Sequence, residues 1–210
     1  GTNMSMTLGA AATELRRKPD VTLTKAADVA ASALLRGARG NSGVILSLLF
    51  RGFSKALKGL EQADGRDFAA ALTTGVEAAY KAVMKPAEGT ILTVSRLTAD
   101  AARDLAAEDR SIESVLAAAI PVAKAALDNT VNQNPVLKKA GVVDAGGMGF
   151  VVILEGMLSS LQGNDIVADE SAAVNEQADF AEFDSEDITF AFDTVFIVRK
   201  SAPDVSLEPL

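Results

Sequence analysis

Cysteine and histidine are both missing from this sequence, and tryptophan with them. Without a thiol there is no disulfide framework, no thiolate zinc site and no cysteine nucleophile. Without an imidazole, Ser-His-Asp triads and histidine acid–base catalysis have no residue to carry them. Aromatic side chains make up only 5% of the chain, a poor supply for a β-sandwich core. No apolar run reaches the roughly 20 residues that span a bilayer, and the first residues do not form a secretory signal. Positive charge is also in deficit, with 20 Lys and Arg against 28 Asp and Glu, net −8. A nucleic-acid-binding face is therefore not expected. The expectation is a soluble cytoplasmic protein.

What is present points to helices. Apolar residues make up 49% of the 210 positions, much of that alanine, a mixture suited to close helix packing. The length is enough for one domain with a real core. Acid is concentrated in one place: from Asn164 to Asp187 there are nine carboxylates and no Lys or Arg. The part before it is nearly balanced.

The periodicity predicts an all-α body of about eight helices with short connections. The chain opens without an initiator Met at what reads as a helix N-terminus, so an upstream segment is expected. Met4 to Leu15 reads as the first helix, with Thr2 and Asn3 as capping candidates. Thr24 is expected to cap the second, to about Arg36, and Asn41 or Ser42 the third. A fourth covers Arg66 to Met84, ended by Pro86. Thr90 opens a fifth and Ser111 caps a sixth, which contains Pro121 and should kink there. A short seventh covers Pro135 to Lys139, and an eighth starts near Gly147. Residues 1–163 are thus the helical domain and 164–187 an acidic, mobile linker. Residues 188–210 read as the start of a second, α/β-type domain, because Ile188 to Val198 alternates like a strand. One strand is not a stable unit, so a continuation is expected there too.

Four helix starts share one chemistry. They are Gly1-Thr2-Asn3, Gly40-Asn41-Ser42-Gly43, Gly89-Thr90 and Asp144-Ala145-Gly146-Gly147. A first helical turn offers unpaired N–H groups and partial positive charge, which suits phosphate. Glycine lets an anion approach the backbone. The same residues are also ordinary caps. In Gly37 to Gly43, GARGNSG, capping accounts for Gly37 and Asn41 but leaves Arg39, Gly40 and Gly43 over. No Walker A pattern is present. Spacing alone leaves a turn and an anion site both open.

Three ordered segments go further: GARGNSGVILSLLFRGFSKAL, GVEAAYKAVMKPAEGTILTV and GVVDAGGMGFVVILEGM. Together they resemble the nucleotide-binding domain of the dihydroxyacetone kinase family, and within it the N-terminal domain of the fatty-acid kinase catalytic subunit. The resemblance covers about residues 1–163, and EDITFAFDTVFIVRK resembles the opening of that subunit's middle domain. It implies an antiparallel barrel of eight helices with ATP or ADP at one end. It implies nucleotide contacts at Thr2, Asn3, Gly40, Asn41, Ser42, Gly43, Thr90, Asp144 and Gly146. Arg39, Lys85 and Arg96 become candidate phosphate neutralisers. The family's Mg²⁺ is held by aspartates in a segment resembling Asp-Gly-Asp-Thr-Gly-Thr-Asn-Met. This chain begins at the Gly-Thr-Asn-Met part, so the ligands are expected upstream of Gly1, no metal site is assigned within it, and the chain alone is expected to be nearly inactive. Phe192-Asp193-Thr194 stands where many relatives carry a cysteine.

The implied reaction is γ-phosphoryl transfer from ATP to a fatty acid presented by a DegV-like fatty-acid-binding protein, giving an acyl phosphate. Two alternatives stand beside it, a dihydroxyacetone kinase subunit and a non-catalytic ADP-binding regulatory module. A third reading is a structural bundle in which every glycine is a cap. The resemblance leaves room for a homodimer and gives no reason to expect nucleic acid or a membrane span.

Overall fold

The computed structural model describes residues 1–109 and 111–164. Among them are nine helices and no strand. These are α1 (Thr2–Arg16), α2 (Leu23–Arg36), α3 (Gly40–Ala56), α4 (Gly65–Ala82), α5 (Ile91–Leu105), α6 (Ile112–Asp128), α7 (Thr130–Gln133), α8 (Pro135–Ala140) and α9 (Ala145–Leu161). The all-α expectation holds. One more helix is present than the periodicity predicts, because the single turn α7 is too short to show a stripe. The acidic linker beyond its first residue, the strand over Ile188 to Val198 and the Phe192-Asp193-Thr194 position lie outside the described residues. Pro121 sits at an exposed position inside α6, which continues to Asp128.

The helix starts explain most boundaries. Thr90, Ser111 and Asp144 cap α5, α6 and α9, each accepting a backbone N–H. Asp64 and Asp67 form a reciprocal capping box on α4, which sets its start at Gly65. Elsewhere the expected caps shift. Thr22, not Thr24, caps α2; the Thr24 hydroxyl instead reaches the Leu57 and Leu60 carbonyls at the end of α3, 3.1 Å from each. Thr2 and Asn3 lie inside the first turn of α1, whose N-cap is Gly1. Asn41 and Ser42 lie inside α3, whose N-cap is Arg39 with no side-chain bond.

Successive helices from α1 to α6 pack each on the one before, and α9 packs on α5 and α6 and touches α1. Successive long helices run in opposite directions, and so do α6 and α9. Arg66 at the start of α4 donates to the Ala106 carbonyl just past α5 (3.2 Å), and Gln162 past the end of α9 donates to Glu113 at the start of α6 (3.2 Å). The starts of α1, α3, α5 and α9 are thereby left at one end. The core is aliphatic, with Leu34, Leu46, Leu92, Leu116 and Leu154 fully buried and alanines between them. Small residues let backbones meet. A Cβ added to Gly52 of α3 would lie 2.6 Å from Gly75 Cα, and one on Gly75 of α4 would lie 2.5 Å from the Leu49 carbonyl oxygen. Beside this crossing is an apolar cavity of about 30 Å³, lined in part by Phe50, Phe53, Phe150 and Met157. Ligand pockets run to roughly 300 Å³ and more, so this void is a packing gap.

Candidate functional site

The four helix starts with shared chemistry meet through their glycines. A Cβ on Gly40 would overlap the Asn3 side-chain amide, which brings α1 and α3 together. One on Gly146 would lie 3.1 Å from Ser42 Oγ and 3.3 Å from Ile91 Cβ, joining α9, α3 and α5. One on Gly149 would lie 2.8 Å from Met4 Sδ, joining α9 back to α1. Asn3, Gly40, Ser42, Gly146 and the residue after Thr90 are therefore neighbours, although they span most of the described chain. The first-turn amides are largely uncommitted. The first intrahelical bonds are Ser5 N–H to Gly1 O, Gly43 N–H to Arg39 O, Val94 N–H to Thr90 O and Met148 N–H to Asp144 O. That leaves the amides of Thr2 to Met4, Gly40 to Ser42, Ile91, Thr93, Ala145 and Gly146 without helical partners.

The glycines of GARGNSG have a packing reason of their own. Gly37 ends α2 with an N–H to Ala33 O (2.8 Å), and a Cβ there would lie 2.5 Å from Ala10 Cβ. Gly40 has φ +58°, a conformation side chains resist. A Cβ on Gly43 would overlap Thr7 Oγ1. All three glycines admit α1 against the start of α3. What packing leaves unexplained is Arg39, Asn41 and Ser42. Arg39 and Asn41 are exposed, Ser42 is half-buried, and none of the three side chains makes a hydrogen bond or ion pair among the described residues.

Three buried threonines hold the starts in place. Thr7 accepts the Arg39 N–H (3.1 Å) and donates to Asn3 O (2.7 Å). Thr130 accepts the Asp144 N–H (3.1 Å) and donates to Leu127 O (2.6 Å). Thr93 accepts the Gly89 N–H (2.8 Å) and donates to Glu88 Oε2 (2.8 Å). All three are fully buried. Each takes an N–H at or next to the N-cap of α3, α9 or α5; the Gly89 N–H is buried and the Arg39 and Asp144 N–H groups partly so, and leaving a buried donor unpaired costs about 1–3 kcal/mol. These residues were invisible to local sequence reasoning. Their only signal is threonine standing where a helix should present an apolar side chain.

Other expected contacts are already committed. The Thr90 hydroxyl donates to Ala87 O (2.8 Å) and accepts from Leu92 N (3.3 Å), and Asp144 Oδ2 accepts the Gly147 N–H (2.7 Å). Both act on their own backbone. Arg96 donates from Nη2 to Glu88 (2.9 Å) and from Nε to the Tyr80 hydroxyl (3.2 Å), so its charge is matched and it is not a free phosphate neutraliser. Burial works to raise the Glu88 carboxyl, but bonds from Thr93, Arg96 and Tyr80 and the Arg96 charge outweigh it and hold it below its ordinary value. Burial is also the main reason the Tyr80 hydroxyl is raised. For Arg96, hydrogen bonding to Tyr80 comes first in strengthening its hold on the proton. Because the Glu88 value is depressed, its contribution is present above the ordinary glutamate range near pH ~4.3 and is lost as pH falls through the folded value. Lys85 lies on the exposed α4–α5 connection.

Among the described residues no three carboxylates are placed to hold a metal ion, and no helix is long and apolar enough to cross a membrane. Large apolar side chains are exposed mainly at the end where the starts meet. Met6, Leu35, Val44, Val136 and Met148 lie on or near those helix ends, and Met84, on the α4–α5 connection, is 99% exposed.

The pattern of the DAK2 domain family matches residues 1–159. Protein YloV of Bacillus subtilis (strain 168) is 42% identical over 207 residues, covering 95% of this chain. An uncharacterized protein of Staphylococcus saprophyticus is 42% identical over 205 residues, and one of Staphylococcus aureus (strain USA300) is 39% identical over 205. The chain spans 37% of the length of these relatives.

Proposed function

The chain belongs to the DAK2 domain family, and from that membership we propose that residues 1–163 are the nucleotide-binding part of an ATP-dependent kinase. The observation that carries the reading is the meeting of the starts of α1, α3, α5 and α9, with their first-turn amides free of helical partners. Stacked N-termini suit the phosphates of ATP or ADP. Asn41 and Ser42 are the side chains proposed to bind them, because packing gives them no other partner, with Arg39 as the neighbouring cation. Thr2, Asn3, Gly40 and Gly146 contribute backbone and room, Gly43 makes way for Thr7 beneath the start of α3, and Thr90 and Asp144 hold the ends of α5 and α9. The packed helices are read as the family's antiparallel barrel.

For the longer protein, the proposed reaction is transfer of the γ-phosphoryl group of ATP to a fatty acid on a DegV-like carrier, giving an acyl phosphate. ATP supplies the phosphoryl group; the residues named here bind and orient it. The DegV-like partner is proposed from the family resemblance; the exposed Met6, Val44, Met84 and Met148 near the helix starts are the side chains first to be tested for contact with it. The described residues do not fit a Mg²⁺ site, and no step is assigned to one. For residues 1–164 taken alone, that favours nucleotide binding over turnover.

Calorimetric titration with ADP tests the reading. The chain is expected to bind, and Asn41→Ala/Ser42→Ala to bind at least about tenfold more weakly, since hydrogen bonds to charged groups are worth about 1.5–3 kcal/mol each. Neither side chain caps α3, so the melting point should move little. An unaltered Kd in the folded double variant would remove both residues from the site.

A further inference from the structure

We infer that Glu88 is a positioning residue for this site: its carboxylate, acting through Thr93, sets the place of the Gly89–Thr90 turn at the start of α5. The inference rests on the reading of the four helix starts as a nucleotide pocket.

The argument is one of proton direction. Gly89 N–H points at Thr93 Oγ1 (2.8 Å), so the buried Thr93 hydroxyl must send its own proton elsewhere, and it goes to Glu88 Oε2 (2.8 Å). On the other side, Arg96 Nε–H points at the Tyr80 oxygen (3.2 Å), so the Tyr80 proton goes to Glu88 Oε1 (3.1 Å). Arg96 Nη2 adds a third bond to Oε2 (2.9 Å). Position 88 therefore receives three donors and gives none. Only an ionised carboxylate is acceptor-only; a glutamine there would turn an NH₂ toward one of the three. The group ties α4, through Tyr80, and α5, through Thr93 and Arg96, to the end of the loop between them.

This turn needs such an anchor more than the others. Thr7 and Thr130 pass their protons to backbone carbonyls, whereas Thr93 passes its proton to a side chain at the end of the connection from Val83 to Thr90. Gly89 has φ +72°, and a Cβ on it would lie 2.9 Å from Gln133 Cβ and 3.0 Å from the Asn134 nitrogen. The turn is thus pressed onto the α7–α8 segment from outside and pinned by Thr93 from inside. A shift of this turn moves Ile91, which sits against Gly146 of α9. Arg96 and Glu88 are 39% and 50% exposed, and an ion pair of that exposure adds little to stability. Positioning and stability can therefore be told apart.

The test compares the 210-residue chain with Glu88→Gln and Tyr80→Phe by ADP titration, melting, and amide exchange at Gly89. Glu88→Gln should weaken ADP about tenfold, equivalent to 1.4 kcal/mol, and speed Gly89 exchange about as much, with core amides unchanged. Tyr80→Phe keeps the carboxylate and should lose less. If Glu88→Gln retains the parent's Kd, or loses affinity while Gly89 exchange stays the same, the inference is overturned. A parent chain that binds no ADP overturns the nucleotide reading and this one together. A parent that binds beside an unaffected variant overturns this one alone.

Discussion

Gly75→Ala is expected to lower the melting midpoint by roughly 4–8 °C, the opposite of what helix propensity predicts. Alanine in a helix interior gains about 1 kcal/mol over glycine. Against that, the new methyl carbon would lie 2.5 Å from the Leu49 carbonyl oxygen. A backbone oxygen has no rotamer to move to, so α3 and α4 must separate, at a cost near the top of the roughly 1–3 kcal/mol range for overpacking. The net loss is about 2 kcal/mol, and a domain of this size loses about 2–4 °C for each. Gly52→Ala meets the Thr74 and Gly75 backbone at the same crossing. The two changes force one displacement, so the double variant should lose less than the sum. Differential scanning calorimetry decides it: a midpoint that rises with Gly75→Ala would mean the crossing is looser than described.

Thr7→Val is the second large effect, and it reaches both stability and binding. Valine keeps the shape and removes the oxygen. The Arg39 N–H then loses its acceptor beneath the start of α3, and a buried unpaired donor costs about 1–3 kcal/mol. Asn3 O still has the α1 backbone, so the damage falls on the α3 side. Because Arg39 is the N-cap of α3, the amides of Gly40 to Ser42 should lose their fixed direction, and ADP affinity should fall along with the midpoint. Thr7→Ser restores the oxygen and should recover most of both. A valine variant as stable as the parent would show that the hydroxyl only fills space.

Much of this organisation was legible in the sequence where its causes are local. Thr90, Ser111 and Asp144 cap the helices they were expected to cap, because a cap is settled within three residues of itself. The likeness of the four helix starts was also visible as residue type. Their meeting was not, because it depends on antiparallel packing over most of the described chain. The start of α3 shows the limit best. Asn41 and Ser42 have ideal cap chemistry, yet the cap falls at Arg39, whose N–H is taken by Thr7, 32 residues away. Thr7, Thr93 and Thr130 were missed because threonine in an apolar stripe reads as a weak helix former. Gly52 and Gly75 were missed because a glycine inside a helix reads as a penalty until its neighbour is known.

The buried threonine bonds have a consequence for ionic strength. The scaffold at α3 and α9 is held by neutral donors and acceptors inside the protein, out of reach of dissolved ions. A bound phosphate would be held by helix ends and an exposed arginine, and that attraction is screened over about 10 Å at 0.1 M salt and about 3 Å at 1 M. Host and guest should therefore respond differently to salt: ADP should leave as sodium chloride rises while the melting curve hardly moves. Only the α5 corner, tied through the half-exposed Glu88 and Arg96, should feel both.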